Sequence, residues 1–371
     1  MRLVGTPEVR VQEDVLRSLG EWVERFDAQR VLLVTSEGGA KRWGDAVRDA
    51  TGNVELAIFS DVEAEPSLET GRRAGETARE IQADLVIGLG GGSPLDICKV
   101  AAAQVHNRGD LTDMIGVDQI RHRVPPIIAI PTTAGTGSET TPVAIVTDKA
   151  DQLKKGIVST RIIPAVALLD PTLSVTMPSH ITAWTGVDAL THALEAYTSR
   201  PANDFTDSLA MRAVRMIFDN LPRAFEQGDD LDARREMLVA SLLAGMAFAS
   251  SGCAAVHALA MTLGGRYPLA HGLANALMLP SVMEFNREVC EEKYDRLAAR
   301  LGIEGGAAGL VDRVIDLCDQ LQIPERLSDV GVEQAALEPM ARAAVEIKRL
   351  MEKNPREMSW QQALELYESV F

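Results

Sequence analysis

The first 178 residues alternate short, wholly apolar runs with polar stretches of helical pattern, and this alternation constrains the fold more than any other feature. A strand that is apolar throughout is buried on both faces, which is typical of a parallel sheet covered by helices. Residues 68–82 and 94–106 predict two of those helices. The runs that predict strands are 30–34, 54–59, 84–89 and 126–130, with 143–147 and 166–169 as further candidates.

The pattern changes near Pro178, after which long Ala- and Leu-rich segments follow without a clear strand. The sequence therefore predicts an α/β domain over residues 1–178 and an all-α domain over residues 179–371. Segment 238–259 carries no Asp, Glu, Lys or Arg and is long enough to span a bilayer. Because it is rich in Ala, Ser and Gly and contains His257, we expect two buried helices there instead.

The composition narrows the classes of partner. The chain carries 37 Lys and Arg against 53 Asp and Glu, a formal net charge of −16, which disfavours nucleic acids and anionic membranes as partners. None of the four cysteines lies in a C-x-x-C pair, so a disulfide framework or a cysteine zinc cluster is poorly supported. The first residues lack the apolar run of a signal peptide. These features favour a cytoplasmic protein that binds small molecules.

A glycine run, residues 90–92, follows one predicted strand and precedes a predicted helix. We expect Ser93 at the helix N-cap and Pro94 at the first helical position. Free backbone N–H groups and the helix dipole would then favour an anion such as a pyrophosphate. A plain tight turn is the alternative, because the run matches neither a Walker A loop nor G-x-G-x-x-G. A second loop, residues 131–141, follows strand 126–130 and also suits a ligand crevice, although Thr and Ser cap turns routinely.

Four ionisable side chains in apolar segments of the second half predict a metal site. Asp188 and His192 are four residues apart and therefore share one face of a predicted helix, while His257 and His271 lie in similarly uncharged surroundings. Core histidines hydrogen-bonded to protein groups are the alternative. Three imidazoles and one carboxylate suit Fe(II) or Zn(II) better than Mg²⁺ or Ca²⁺. Such a metal acts as a Lewis acid on a substrate oxygen.

Taken together, these motifs resemble the iron-containing (group III) alcohol dehydrogenase family over nearly the whole chain. The runs 167–195 and 257–276 are similar to the two signatures of the family, and the loops at Gly90 and Pro131 are similar to its cofactor loops. The resemblance implies the dehydroquinate synthase-like architecture, with a dinucleotide-binding α/β domain before a helical domain. It also implies that Asp188, His192, His257 and His271 hold iron or zinc.

The resemblance further implies NAD(P) as cofactor and a set of residues that bind it. Ser36 occupies a position where NAD-preferring relatives often have Asp; it leaves room for a 2′-phosphate, whereas Glu37 would repel one, so the sequence leans slightly to NADP. Met261 replaces a His or Tyr that some relatives carry beside the nicotinamide, so no proton relay is expected there. The predicted cofactor-binding residues are Ser36, Gly91, Gly92, Ser93, Asp96, Thr132, Thr133, Thr136 and Lys154.

We therefore expect reversible hydride transfer between NAD(P) and a small alcohol, diol or hydroxy acid, with no general base beyond the metal ligands. The family resemblance implies a homodimer. A metal-dependent lyase or synthase on the same scaffold is one alternative, and a non-catalytic NAD-linked metal sensor is another. The intact ligand set and the two matching cofactor loops favour the dehydrogenase.

Overall fold

The computed structural model describes residues 3–150 and 153–371. The chain divides into two compact units, Val4–Thr176 and a second one made of Met177–Phe371 with Leu3. The first unit contains a parallel sheet with helices, whereas every regular element after Met177 is helical. The predicted fold class is thereby confirmed.

Six strands of the first unit form one sheet in the order β1-β9-β6-β4-β2-β3, and all of its pairings are parallel. Three others form a second sheet in the order β5-β8-β7. The strands are β1 (Glu8–Val11), β2 (Arg30–Val34), β3 (Glu55–Phe59), β4 (Leu85–Gly90), β5 (Gly116–Val117), β6 (Ile127–Pro131), β7 (Val143–Asp148), β8 (Leu153–Val158) and β9 (Val166–Leu169).

The strand predictions fail for the second sheet and for β1 at the edge of the first. Strand β7 was expected beside the parallel strands, but it pairs antiparallel with β8, which the sequence did not predict. The connection from Asp148 to Leu153 is too short for the crossover that a parallel neighbour needs, so an antiparallel hairpin forms.

Apolar side chains fill both faces of the large sheet. Along β2, Leu32 and Val34 enter one core, whereas Val31 and Leu33 enter the other. This two-sided burial explains why the central strands are apolar throughout. The helices of this unit are α1 (Leu19–Arg25), α2 (Glu37–Thr51), α3 (Leu68–Glu80) and α4 (Gly92–His106).

Helix α5 lies at the centre of the second unit and packs against α6, α7 and α9. Its residues from Gly186 to Thr198 are all buried, so each polar side chain among them requires an internal partner. The helices are α5 (Ser179–Thr198), α6 (Asp204–Glu226), α7 (Leu231–Ser251), α8 (Ala255–Arg266), α9 (His271–Leu301), α10 (Gly306–Gln320), α11 (Gln334–Val345), α12 (Lys348–Met351) and α13 (Trp360–Ser369).

Within residues 3–150 and 153–371, no single helix has both the length and the apolar character needed to cross a membrane. Helices α7 and α8 meet that test only as a pair, and the chain bends by 104° between them. The expectation of two helices over segment 238–259 is confirmed.

Candidate active site

Asp188 anchors a buried polar cluster on α5. Its Oδ1 accepts a hydrogen bond of 2.7 Å from Asn275 Nδ2 and lies 3.9 Å from the Nε2 atoms of both His257 and His271. Burial alone would raise the pKa of Asp188, but the neighbouring imidazoles, His192 first, outweigh it and lower the pKa. The carboxylate is therefore held ionised beside the histidines.

Two overlapping groups of potential ligands share His257. One ligand atom each from Asp188, His257 and His271 lie within 4.8 Å of one another, and the same holds for His192, Cys253 and His257. The structure thus brings three of the four predicted ligands into one group and places His192 in the adjoining one. The rings of His192 and His257 stack with centroids 4.6 Å apart, so the two groups are in direct contact.

Glu195 fixes the orientation of His257. The Glu195 carboxylate accepts bonds from the backbone N–H groups of Ala254 at 2.9 Å and Val256 at 2.7 Å, and its Oε2 lies 2.6 Å from His257 Nδ1. That contact assigns the proton to Nδ1, which leaves the Nε2 lone pair directed away from Glu195. Burial lowers the pKa of His257, but Cys253 and Glu195 raise it well above its ordinary value, as expected where a positive charge is stabilised.

The donor set fits a transition-metal ion. Nitrogen donors with a carboxylate, and a thiol nearby, suit Fe(II) or Zn(II) and not the all-oxygen shells of Mg²⁺ or Ca²⁺. Asn275 Nδ2 also lies 3.4 Å from His257 Nε2 and 3.2 Å from His271 Nε2. The buried Oδ1 of Asn275 has no hydrogen-bond partner among the described residues. Protein atoms alone therefore leave this cluster incompletely satisfied, as a cation site would be.

The glycine loop lies at the carboxyl end of β4, and α4 begins two residues earlier than predicted. Gly91 is the N-cap and Gly92 the first helical residue, so the prediction of Ser93 as N-cap is wrong. Gly90 has a φ of +151°, which glycine adopts readily, and a Cβ at Gly92 would lie 2.7 Å from Thr136 Cγ2. The second loop therefore packs so closely here that any larger residue at position 92 would displace the Thr136 side chain. No side chain caps this helix end, which leaves backbone N–H groups for an anion.

Other predicted cofactor residues follow neighbouring strands of the same sheet. Ser36 follows β2 and caps α2 by accepting a 3.1 Å bond from Gly39 N. The N–H of Thr132, after β6, donates to Gly90 O at 2.9 Å, and Thr133 lies beside Gly91. Strands β2, β4 and β6 are adjacent and parallel, so these residues line one edge of the sheet, where α/β proteins bind ligands.

Two predicted cofactor residues have partners within the protein. Asp96 accepts bonds from Ser138 Oγ at 2.5 Å and Ile145 N at 2.8 Å. Lys154, on β8, pairs with Glu65 at 2.5 Å. Contact of either residue with a cofactor stays a prediction.

The comparisons with known proteins agree over both units. The family model described as iron-containing alcohol dehydrogenase matches residues 6–171, and the C-terminal model of the Fe-containing alcohol dehydrogenase family matches residues 182–371. The chain belongs to the iron-containing alcohol dehydrogenase family. It is 37% identical to 1,3-propanediol dehydrogenase of Klebsiella pneumoniae, over 95% of this chain and 94% of that protein. It is 44% identical to the probable alcohol dehydrogenase EutG of Escherichia coli K12, over 78% and 73% respectively.

Solved structures extend the agreement to three dimensions. A 1,3-propanediol oxidoreductase superposes with a TM-score of 0.96 at 35% identity, covering 100% of this chain and 99% of the other. An alcohol dehydrogenase from Oenococcus oeni gives 0.94 at 30% identity, covering 100% of both chains. This dehydrogenase is thus a metal-dependent oxidoreductase acting on an alcohol or aldehyde, of a family that uses iron and NAD(P). The predicted activity is confirmed in preference to the lyase and sensor alternatives.

Sequence reasoning missed three residues that shape the dehydrogenase's candidate sites. Glu195 lies seven residues after Asp188 on the same helix face, a spacing that a search for a third polar group on that face finds. Cys253 lies four residues before His257. Burial alone would raise the pKa of the Cys253 thiol, but His257 and His192 outweigh burial and lower that pKa to about 7. Lys99, which has no charged neighbour in sequence except Asp96, gave no signal.

Lys99 fixes the second cofactor loop to α4. Its buried ammonium donates to Ser138 Oγ at 2.8 Å, to Thr141 Oγ1 at 3.2 Å and to Val143 O at 2.7 Å. Burial lowers the pKa of Lys99 to about 8. The threonine-rich loop therefore depends on a side chain outside itself.

Proposed function

We propose that this dehydrogenase transfers hydride reversibly between NAD(P) and a small alcohol, diol or hydroxy acid, with one Fe(II) or Zn(II) held by Asp188, His192, His257 and His271. The observation that carries the proposal is the convergence of ligand atoms from Asp188, His257 and His271, with His192 stacked beside them. When bound, such a cation supplies Lewis acidity to an alcohol or carbonyl oxygen. Within the chain, Glu195 orients His257 and Asn275 orients Asp188.

For the dinucleotide, we propose that the uncapped amino end of α4 binds the pyrophosphate and that Thr132, Thr133 and Thr136 line the nicotinamide side. The close packing of the second loop on Gly92 supports this, because it holds both loops in one place. Asp96 and Lys99 keep that arrangement by bonding to Ser138.

We propose that NADP is accepted, with a slight preference over NAD. Glu37, the residue expected to repel a 2′-phosphate, forms an exposed ion pair with Lys41 at 2.6 Å. The hydrogen bond from Lys41, and then the charge of that lysine, lower the pKa of Glu37. An exposed ion pair contributes little free energy, so Lys41 offsets the charge of Glu37 only weakly. The preference for NADP over NAD is therefore expected to be small. The ratio of kcat/KM for NADPH to that for NADH measures it.

A cytoplasmic homodimer is part of the same proposal. All four cysteines are buried and free of disulfides, which supports a reducing compartment. The net charge of −16 supports the absence of nucleic-acid and membrane partners. The dimer rests on the family resemblance, and light scattering at micromolar concentration tests it.

The decisive experiment is metal analysis of anaerobically purified protein, combined with turnover of an alcohol and aldehyde panel with NADH and NADPH. We expect bound iron or zinc and activity in the wild type, and loss of both in His257→Ala and His271→Ala. Full metal content and undiminished turnover in both variants would overturn the proposal.

A further inference from the structure

Helix α12 carries a positively charged side chain, Arg349, that lies near the candidate metal ligands. Arg349 lies on this helix, which packs against α8, and its Nη2 is 3.4 Å from Met261 Sδ. Met261 is four residues after His257 and therefore lies on the same face of α8, one turn further along. The guanidinium is thus separated from a candidate metal ligand by a single apolar side chain.

A small apolar cluster contains both Met261, which contacts this cation, and side chains that contact the histidines. Buried Cys253, Ala258 and Leu350 form its centre, and Met261 and Phe248 pack against them. The ring of Phe248 stacks on His192 with centroids 4.3 Å apart, and Cys253 shares a ligand group with His192 and His257. The side chains between the guanidinium and the ligand group are therefore apolar, so a substrate that reached both would meet polar groups only at its two ends.

A second cation lies over the loop that precedes α8. Gly252 has a φ of +89°, and a side chain at that position would collide with Lys353 Nζ. The ammonium therefore lies directly above the backbone next to Cys253. Arg349 and Lys353 thus approach the apolar cluster from one segment of chain, residues 348–353.

Neither cation forms an ion pair among the residues that the structure describes, although the chain is strongly acidic. The contrast with other arginines of the same unit is clear, since Arg342 pairs with Glu338 and Arg356 with Glu288. Arg349 is exposed as a residue, but apolar surroundings partly desolvate its guanidinium and lower its pKa. Among the described residues, its hydrogen-bond acceptor is a thioether. A guanidinium without a carboxylate partner retains its donors for a planar oxyanion.

We propose that Arg349, assisted by Lys353, binds an anionic group of the substrate, which is a small alcohol or aldehyde with a carboxylate or sulfonate at the end opposite the reacting oxygen. This inference rests on the proposed function, since it names the substrate class of that site. Arg349 is then a substrate-binding residue that determines specificity.

Matched aldehydes test the proposal. Succinate semialdehyde and butanal have the same four-carbon length and differ at the far end, and sulfoacetaldehyde distinguishes a sulfonate from a carboxylate. We expect the wild type to show a higher kcat/KM for succinate semialdehyde or sulfoacetaldehyde than for butanal. Arg349→Gln should lower kcat/KM for the anionic aldehyde by about 10- to 100-fold, mainly through KM, because a charged hydrogen bond is lost. Butanal turnover should change little.

Two further variants and one binding measurement sharpen the result. Arg349→Lys should keep part of the preference, because charge remains while the bidentate geometry is lost. Lys348→Gln, on the exposed side of the same helix, should leave the preference unchanged. Calorimetry with succinate on the metal-loaded protein should give weaker binding to Arg349→Gln than to the wild type.

The outcomes separate this inference from the proposed function. Equal use of butanal and both anionic aldehydes, with equal losses in Arg349→Gln, overturns the inference and leaves the dehydrogenase assignment intact. Lack of turnover with every aldehyde in fully metal-loaded protein overturns the proposed function instead. In that case the succinate calorimetry still decides, because equal binding to both proteins rejects the role of Arg349.

Discussion

The two candidate ligand sites are made from different parts of the polypeptide. In the first unit, consecutive residues after β4 offer backbone N–H groups, and glycine is required because the second loop packs against Gly92. In the second unit, side chains from α5, α8 and α9 converge, although they are distant in sequence. Cofactor binding at the glycine loop, the backbone site, should therefore be weakened by added side-chain atoms. Metal binding at the side-chain cluster should be weakened by removal of ligand atoms.

Removal of a candidate ligand should give the largest effect. His271→Ala deletes a nitrogen donor next to Asp188, and we expect loss of bound metal and a fall in kcat/KM of about 10³-fold, since a Lewis acid supplies several kcal/mol of transition-state stabilisation. Metal content by plasma mass spectrometry and steady-state kinetics measure both. The control is His122→Ala, an exposed histidine of the first unit. Retained metal with normal kinetics in His271→Ala would remove this residue from the ligand set.

Replacement of Glu195, which orients the candidate ligand His257, should have an intermediate effect on metal binding. Glu195→Gln keeps the size of the side chain but replaces one of the oxygens that accept from Ala254, Val256 and His257. We expect metal affinity to fall about 10- to 100-fold, measured by competition with a chelator for Zn²⁺ or Co²⁺. Glu291→Gln, an exposed change on α9, serves as control. Unchanged affinity together with a lower Tm would mean that Glu195 supports only the start of α8.

An added atom at the backbone site should affect the cofactor and not the metal. In Gly92→Ala the new Cβ would lie 2.7 Å from Thr136 Cγ2, and we expect the Kd for NADPH to rise about tenfold, since overpacking costs about 1–3 kcal/mol. Thr136→Ser removes the colliding methyl group, so the double variant should recover part of the affinity. Gly44→Ala, where the new Cβ would make an ordinary contact of 3.7 Å with Ile58 Cδ1, is the matched control. Tryptophan fluorescence titration reports the Kd, and an unchanged value in Gly92→Ala would reject the loop as a cofactor site.

The contrast between a contiguous backbone site and a site of side chains distant in sequence also explains which residues the sequence could predict. Asp188 and His192 were found because an apolar helix makes ionisable residues conspicuous, and the glycine loop because its signal is contiguous. Glu195 was not singled out, since its partners at 254–257 are remote in sequence. The position of the N-cap at Gly91 depends on packing by Thr136, which no local pattern records.

The strands show the same limit. Strands β2 and β9 have the predicted bounds because they are apolar and buried throughout. Strand β1 at the sheet edge and β8 in the small sheet escaped prediction, since half-buried strands admit charged residues such as Arg10 and Lys155. Whether such a segment forms a strand depends on the strand that it pairs with, and the local sequence does not show that partner.

The smallest expected effect concerns Lys99 and the pH dependence of stability. Burial lowers its pKa from 10.5 to about 8, so between these two pH values the unfolded chain binds more protons than the folded one. Asp96 Oδ1 lies 3.9 Å from the Lys99 ammonium, but burial outweighs this charge, so the stability contributed by Lys99 rises with pH across that window. Relative to Lys99→Met, the wild type should gain roughly 2 kcal/mol in unfolding free energy from pH 7.5 to 9.5. Urea denaturation at both pH values measures the difference, and Lys41→Met, a change at an exposed lysine, is the control. A wild-type advantage that stays constant with pH would mean that Lys99 keeps its proton, and that its three acceptors fully offset the cost of burial.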